Sequence, residues 1–396
     1  MPGTPGTPGT DDAPVILSNE PGSFAWGVLA NRHPALIQQV RDAFPYGPAQ
    51  HRSLDALLKE ITDGVIQPLA PDAHDQGRWQ AWGHEHFGRS WFDVPFLWAE
   101  SFFYRRLLEA VGYFTVGPWQ GIDPFAPFKG AELRGTVVDD ELTALDGLTG
   151  QPDGDQADAL LGASLWGNRA DLGFSLSSDA THTGGVDPHL VADDTARLWS
   201  LLPTGAGAPV HLVADNAGRE LIPDLLLLDH LLRTGRAGRA VLHVKPYPYY
   251  VSDATMTDVI DSLRRLGHAS GYAAEAGERL WSALATGRLV VDAHDFFRAP
   301  LPYSAMPDDL RQDLAEATVT VVKGDLNYRR LVGDRSWAPT TSFADRTAHF
   351  PGPVAALRTL KSDVIVGLDP GTLTGLEDSG MPWRTSGTHA LVQVRA

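Results

Sequence analysis

The feature that most constrains the fold is a change in the sequence pattern after about residue 205, where short β-branched runs begin to alternate with amphipathic segments. The segments 219–233 and 256–266 repeat apolar residues at helical spacing, and Gly235 is a typical signal for the end of a helix. This alternation predicts an α/β fold with a parallel sheet and helices on both faces. Ligands of such sheets bind beyond the carboxyl ends of the strands. The predicted strands are residues 209–214, 240–244, 288–293, 318–323 and 363–367.

The earlier part of the chain has a different composition and a different sequence pattern. Residues 1–10 read MPGTPGTPGT, a repeat that cannot bury apolar surface, so we predict a disordered tail over residues 1–19. An aromatic-rich segment follows, in which residues 97–111 carry apolar side chains on one helical face. A polar, glycine-rich joint lies at 147–158. We therefore predict a helical N-terminal domain over residues 20–155 and an α/β/α domain over residues 156–396.

Charge and cysteine content restrict the function. The chain has 49 acidic and 32 basic residues and a net charge of −17, which opposes general binding to nucleic acid or to an anionic membrane. An anionic small substrate stays allowed, because a metal and a few placed cations reverse the field locally. The absence of cysteine excludes disulfides, zinc–thiolate sites and thiol catalysis. No signal peptide or membrane-spanning run is visible, so we predict a cytoplasmic protein and leave its oligomeric state open.

Oxygen-bearing side chains follow the first two predicted strands. Asp215 and Asn216 stand directly after one strand, and Asp253 follows the next strand after an aromatic loop. Such ligands suit Mg²⁺, Mn²⁺ or a similar divalent ion. The alternative is helix capping, since Asp and Asn are favoured at helix N-termini. Two strand ends that each offer an acid favour a metal site, and we predict Asp215, Asn216 and Asp253 as metal ligands and catalytic residues.

Charged residues also surround the fourth and fifth predicted strands. Asp325, Asn327 and Arg329 follow the fourth strand, where the arginine could clamp a phosphate and the other two could bind sugar hydroxyls or support the metal. Arg358 and Lys361 precede the fifth strand and could add two further cations. Each set also fits a plain alternative, a solvated turn or a solvated strand edge.

A series of motifs in one order gives a family resemblance. The chain resembles the metal-dependent damage-control phosphatases of the acidic-residue-methyltransferase-like branch, over roughly residues 20–395. Segments 23–25, 91–106 and 164–172 look similar to that family as well. The motifs are DNAGxE at 215–220, VSDAT at 251–255, SAMP at 304–307, KGDLNYR at 323–329, GDR at 333–335 and RTLK at 358–361.

This resemblance implies more than the residues alone. It implies a helical N-terminal part packed on a three-layer, Rossmann-like α/β/α domain, and one divalent ion, often Mn²⁺, Co²⁺ or Ni²⁺. It implies hydrolysis of small phosphorylated metabolites such as fructose 1-phosphate or fructose 6-phosphate. By position, the resemblance assigns the metal to Asp215, Asn216 and Asp253, substrate contacts to Glu220, Asp325, Asn327, Arg329 and Lys361, with the phosphate on Lys361, and a place in or beside the pocket to Asn168.

Three other functions stay open at this point. One is an S-adenosylmethionine-dependent protein carboxyl methyltransferase, which ranks low because nothing in the sequence looks like a site for that cofactor. Another is a silent metal- or sugar-binding module. The third is a phosphatase for a specialised biosynthetic intermediate. The attacking group is also open, because either water or Asp215 could serve.

Overall fold

The computed structural model describes residues 13–167, 189–205 and 207–396. Within this part of the chain, the strands form a seven-stranded sheet in the order β1-β7-β6-β5-β2-β3-β4. Every neighbouring pair is parallel except β6 with β7. The strands are β1 Leu190–Asp193, β2 Pro209–Val213, β3 Arg239–His243, β4 Leu289–Asp292, β5 Val319–Lys323, β6 Val354–Thr359 and β7 Ala390–Arg395. The predicted α/β class with a mainly parallel sheet is therefore confirmed.

The first four predicted strands correspond to β2, β3, β4 and β5, but the fifth prediction is wrong. Residues 363–367 form a buried loop, and the strand at this place in the sequence is β6. The apolar side chains of the loop are buried, and at Val366 the backbone is bonded to side chains. The Val366 carbonyl accepts from Gln393 Nε2 at 2.7 Å, and the Val366 N–H donates to the Tyr328 hydroxyl at 3.2 Å. Apolar composition indicated burial here without indicating a sheet partner.

Helices precede the sheet as predicted. α5 is buried on nearly all sides, because its aromatic residues pack against α3 and the loops around Trp91. A π-helical turn, Val28–Arg32, joins the first two helices. The helices are α1 Phe24–Gly27, α2 His33–Ala43, α3 Pro48–Asp63, α4 Gln76–Gly83, α5 Phe96–Val111, α6 Ala126–Leu133, α7 Thr136–Ala144 and α8 Asp153–Trp166.

The remaining helices cover both faces of the sheet and make three layers. α8, α10, α11 and α12 pack on the face that carries Leu212 and Leu242. α13 and α14 lie against the face that carries Val213 and Val322. These helices are α9 Thr195–Leu201, α10 Leu221–Arg233, α11 Met256–Gly267, α12 Gly271–Ala285, α13 Asp308–Ala315, α14 Gly324–Val332, α15 Phe343–Arg346 and α16 Pro370–Asp378.

A buried carboxylate ties the helical part to the sheet. Asp75, only 3% exposed at its side chain, accepts from Arg105 Nε at 2.9 Å and from Arg298 Nη1 at 2.5 Å. The Tyr247 hydroxyl adds a third bond at 3.2 Å. We call these four residues the Asp75 network. Arg298 and Tyr247 belong to the α/β part, so the network crosses between the two halves of the molecule.

The predicted domain boundary at residues 155/156 falls in the first turn of α8. Apolar residues on both sides of it, Leu142 and Leu160 for example, share one cluster with the sheet. The division into domains therefore stays a prediction. Residues 1–12 of the predicted tail and the predicted pocket residue Asn168 lie outside the described residues. Among the described helices, none combines the length and apolar character needed to cross a membrane.

Candidate active site

Two loops that follow β2 and β3 are joined by backbone hydrogen bonds. The Ala217 N–H donates to the Ser252 carbonyl at 2.6 Å, and the Ala254 N–H donates to the Asp215 carbonyl at 3.0 Å. Asn216 and Asp253 form an isolated antiparallel bridge between these two bonds. The parallel sheet brings the two strand ends to one edge, and the bridge then fixes the residues side by side. The structure thus brings the three predicted metal ligands together.

Asp215 lies against the start of α14. A Cβ atom on Gly324, the first residue of this helix, would lie 1.9 Å from Asp215 Oδ2. The backbone of Gly324 also has a φ of +82°, so this position requires glycine for two independent reasons. Burial, followed by the charges of Glu220 and Asp253, raises the pKa of Asp215 to about 8. Without a bound cation, the protein environment therefore disfavours the charged form of the Asp215 side chain.

Asn216 turns its amide nitrogen toward carboxylates. Its Nδ2 donates to Glu220 Oε2 at 2.9 Å and lies 3.3 Å from Asp215 Oδ2. The amide oxygen is the atom of this side chain that can coordinate a cation, and the two bonds to nitrogen fix its orientation. Glu220, the predicted substrate-binding acid, thereby also orients a predicted metal ligand.

Asp253 is 2% exposed. Its Oδ2 accepts the Tyr250 N–H at 2.9 Å, a bond that orients the carboxylate. Burial raises the pKa of Asp253, against the opposing charge of Lys245. Two buried carboxylates that resist ionisation, together with an oriented amide, form an oxygen donor set that a divalent cation would stabilise.

The sequence interpretation missed Lys245. This lysine follows β3 by two residues and is 2% exposed, and its Nζ has no hydrogen-bond partner within the described structure. Burial lowers the pKa of Lys245, while the charge of Asp253 opposes that shift. The available signal was a lysine at the carboxyl end of a buried strand, directly before the aromatic loop. A buried ammonium without a partner is costly, so this cation is a candidate to meet an anion.

Lys361 lines a small polar pocket at the same edge of the sheet. Its Nζ lies 3.6 Å from Glu220 Oε1, and 42% of its side chain is exposed. Burial alone would lower the pKa of Lys361, but the carboxylates of Glu220, Asp215 and Asp325 raise it, so the lysine is charged. The pocket has about 20 Å³ of free space, enough for an ion or a water. Its lining comprises Ser164, Leu165, Gly167, Asp215, Glu220, Lys323, Gly324, Asp325, Leu357, Thr359 and Lys361.

Asp325 and Arg358 are bound to each other. Arg358 Nε and Nη2 lie 2.9 and 2.7 Å from Asp325 Oδ1, and the guanidinium also bonds to Ser362 and to the Val364 carbonyl. Although burial acts to raise it, Arg358 holds the pKa of Asp325 below its ordinary value. Asp325 reaches the pocket, whereas Arg358 is 0% exposed and has its donors directed at protein atoms.

Asn327 and Arg329 lie behind the pocket. The Asn327 amide nitrogen donates to the carbonyls of Ala214 and Lys323 at 3.1 and 2.9 Å. Arg329 bonds to Glu100 at 3.0 Å and to both oxygens of Asp334. Neither residue is among those that line the pocket, and their predicted substrate contacts stay a prediction. Asn327 supports the strand end that leads to Asp215.

The arrangement defines a class of site. We call six residues the strand-end site: Asp215, Glu220 and Lys361, which line the pocket, and Asn216, Asp253 and Lys245, which lie on the loops after β2 and β3. It combines an oxygen donor set for one divalent ion with two lysines of opposite charge to a phosphate. Sites with this combination bind and transfer phosphoryl groups.

Comparison with known proteins agrees with that class. Residues 28–374 match the family described as the damage-control phosphatase ARMT1-like domain. The chain is 30% identical to the damage-control phosphatase ARMT1 of Danio rerio, over 94% of both chains. It is also 30% identical to that of Mus musculus, over 96% of this chain and 98% of the relative. A DUF89 family protein of Pyrococcus horikoshii superposes with a TM-score of 0.49 at 14% identity, over 89% of this chain and 93% of that one.

The match to the family covers most of the chain. The chain therefore belongs to the ARMT1-like damage-control phosphatase family. It is an enzyme, a hydrolase of phosphate monoesters, and the family implies a divalent metal.

Proposed function

We propose that this chain hydrolyses the phosphate monoesters of small sugar-like metabolites, such as fructose 1-phosphate or fructose 6-phosphate. We propose that Asp215, Asn216 and Asp253 hold the divalent metal, and that Mn²⁺, Co²⁺ or Ni²⁺ serves best, with Mg²⁺ as a weaker substitute. The observation that carries the proposal is the shared location of this donor set and Lys361 at one edge of the sheet.

The electrostatics of the site favour a metal-bound phosphate. A bound divalent ion lowers the pKa of water and neutralises charge on the phosphoryl oxygens. Asp215 and Asp253 are buried with raised pKa values, so both gain a stable charged form beside a cation. Lys361 stands above the pocket with a raised pKa, and it would hold a phosphoryl oxygen from the solvent side.

Glu220 would set the positions of two neighbours. It accepts from the Asn216 amide at 2.9 Å and lies 3.6 Å from Lys361 Nζ. One carboxylate thus connects a metal ligand with the phosphate-binding lysine. When a phosphate enters, Lys361 can leave Glu220 for the more highly charged anion, because 3.6 Å is a loose contact. Asp325 lines the same pocket and would contact the sugar hydroxyls.

Two attacking groups fit the site. In one reaction, water attacks phosphorus, the bond from phosphorus to the sugar oxygen breaks, and a proton from the water reaches the leaving oxygen. In the other, Asp215 attacks phosphorus, the same bond to the sugar oxygen breaks, that oxygen takes a proton from solvent, and water then hydrolyses the acyl phosphate. Acid quench during a single turnover separates them, because only attack by Asp215 leaves the phosphoryl group covalently attached to the protein.

The function is tested with metal-stripped protein and a panel of sugar phosphates, with and without Mn²⁺, Co²⁺, Ni²⁺ and Mg²⁺. Release of inorganic phosphate should require a metal. Asp253→Ala should abolish release. Asp229→Asn should keep it, because Asp229, on α10, is a buried acid paired with Arg279 and does not belong to the strand-end site. An Asp253→Ala protein that kept both metal and turnover would defeat the ligand assignment. Bound metal without release from any sugar phosphate would defeat the proposed substrate class.

A further inference from the structure

A second group of metal-type ligands lies on the sheet, away from the strand-end site. His211 in the middle of β2 and His243 at the end of β3 are 1% and 0% exposed. His211 Nδ1 lies 2.9 Å from His243 Nε2 and 3.8 Å from Asp313 Oδ2, on α13. One ligand atom from each of the three residues lies within 4.8 Å of the others. None of these residues lines the pocket at the strand ends.

The strand register places the two histidines on one face. His211 is paired with Val241 and Val213 with His243, so the side chains of both histidines point away from Leu212 and Leu242. α13 covers this face and supplies the carboxylate. Three separate elements of the fold therefore contribute one ligand each.

A fourth residue sets the orientation of one imidazole. His243 Nδ1 lies 3.1 Å from Asp292 Oδ2, at the end of β4. The nitrogen donates to this carboxylate, because an ionised carboxylate can only accept a hydrogen bond. The other nitrogen, Nε2, then carries a free lone pair directed at His211. A carboxylate behind an imidazole in this way is the usual second partner of a metal-binding histidine.

The charge state of His211 agrees with a ligand role. Burial lowers the pKa of His211 to about 3, so this imidazole is neutral at physiological pH. Neutral imidazole is the form that binds a metal. An ion from solution would reach the histidines from the side of the acids, since the side chains of Asp313 and Asp292 are 46% and 45% exposed.

We propose that His211 Nδ1, His243 Nε2 and the Asp313 carboxylate bind a second divalent transition ion of the Zn²⁺ or Co²⁺ type. Two imidazole nitrogens and one carboxylate are a common ligand set for such ions, with solvent in the open position. Binding requires His211 to carry its proton on Nε2. The proton moves from Nδ1 to Nε2 of the same ring, so the hydrogen bond to His243 is lost and no proton is released to solvent.

The ion would join β2, β3 and α13. It should therefore stabilise the folded chain by mass action and raise the melting temperature as its concentration exceeds the dissociation constant. The two sites should also differ in preference. The strand-end site offers oxygen alone and accepts Mg²⁺, whereas the histidine site offers nitrogen and should reject it.

The test counts metal in the metal-stripped full chain after equilibration with Co²⁺ or Zn²⁺. The wild type should bind about two ions, and Asp313→Ala about one, with loss of the visible Co²⁺ absorption of a nitrogen-ligated site. Asp313 is exposed, so this variant should fold normally, and circular dichroism checks that it does. His243→Asn is a second variant that should lose the same ion.

The matched control is Asp309→Ala, one turn earlier on α13. Asp309 contacts His294 at 3.3 Å and no residue of the proposed set, so its variant should keep both ions. Asp253→Ala should lose the other ion and keep the Co²⁺ absorption, which separates this proposal from the proposed function. The proposal is overturned if Asp313→Ala and His243→Asn keep the wild-type metal content and spectrum. It is also overturned if Asp253→Ala binds no metal.

Discussion

The Asp75 network and the strand-end site both contain buried carboxylates, but they compensate the charge differently. In the Asp75 network, one carboxylate receives two arginines and a tyrosine hydroxyl within 3.2 Å. In the strand-end site, Asp215 and Asp253 share one buried lysine, Lys245, whose Nζ has no hydrogen-bond partner among the described residues. Lys361 lies 3.6 Å from Glu220.

This difference separates structural charge from functional charge. A buried ion pair is stable when every hydrogen-bonding position is used, and removing one partner is costly. The Asp75 network has reached that condition within the chain. The strand-end site has not, because burial and the charges of Glu220 and Asp253 raise the pKa of Asp215 to about 8. A cation and an anion from solution would complete it.

The largest effect on activity should come from Asp253→Ala. Loss of this proposed metal ligand should lower kcat/KM by about 10³-fold or more, because a bound metal supplies several kcal/mol of transition-state stabilisation. The metal-free protein should melt at nearly the same temperature, because the cost of burying the Asp253 carboxyl group is removed together with its bond to the Tyr250 N–H and its charge beside Lys245. Phosphate release and a thermal melt of metal-free protein measure the two effects. A large drop in the melting temperature would show that Asp253 has a structural role like that of Asp75.

The converse change is Asp75→Asn, which should destabilise the fold and spare the metal. Two buried arginines each lose one of their two carboxylate partners, and Glu109 and Asp295 remain, so we expect a cost of about 3 kcal/mol. Backbone strain is unaffected, because Asp75 has a φ of 55° and asparagine tolerates that conformation. Urea unfolding measures the stability, and metal affinity of the folded fraction is the control. Unchanged unfolding free energy would remove the contrast between the two regions.

A smaller effect is expected from Gly324→Ala. The new Cβ would lie 1.9 Å from Asp215 Oδ2 and must displace the carboxylate. We expect a loss of about 1–3 kcal/mol in stability and weaker metal binding. Gly287→Ala is the matched control. Gly287 has a φ of +75°, but its Cβ would meet no atom within 4 Å, so this variant should show the backbone strain without the loss of metal. Equal metal affinities in the two variants would contradict the close contact.

The smallest effect concerns pH. The pKa of Asp215 is raised in the folded, metal-free chain, so the protonated carboxyl favours folding. That contribution is fully present below the ordinary aspartate pKa of 3.8 and is lost as the pH rises through about 8. The melting temperature of metal-free protein should fall over this window, and Asp215→Asn should flatten the decline. Metal affinity should rise with pH over the same window, because the ion displaces the proton. Identical pH profiles for wild type and Asp215→Asn would refute the assignment.

The sequence predicted the elements and acids that follow simple periodic rules. The strands that precede Asp215 and Asp253 are β-branched runs, and parallel strands bring their carboxyl ends together, so the meeting of these acids could be foreseen. β6 could not be separated from residues 363–367, because both are apolar and their hydrogen-bond partners come from distant residues.

Partners explain the other differences as well. Arg358 looked like a free cation in the sequence, but it is bonded to Asp325, Ser362 and Val364. Lys245 looked like an ordinary loop residue, but it is buried, and the charges of Asp253 and Asp215 act on it. Residue type and spacing do not say whether a charge is already paired within the chain. That distinction separates structural from functional groups and needs the three-dimensional arrangement.

The position of β5 beside β2 has a consequence for how the enzyme is made. Asp215, Asn216 and Asp253 leave the ribosome before Gly324, which follows Asp215 by about a hundred residues. Backbone hydrogen bonds can join the loops after β2 and β3 early. The start of α14, which lies against Asp215, takes its place only after β5 has paired with β2. Such pairing over a long sequence separation is slow. A nascent chain should therefore hold metal loosely until its last third is synthesised, and the mature affinity should be acquired in one late folding step.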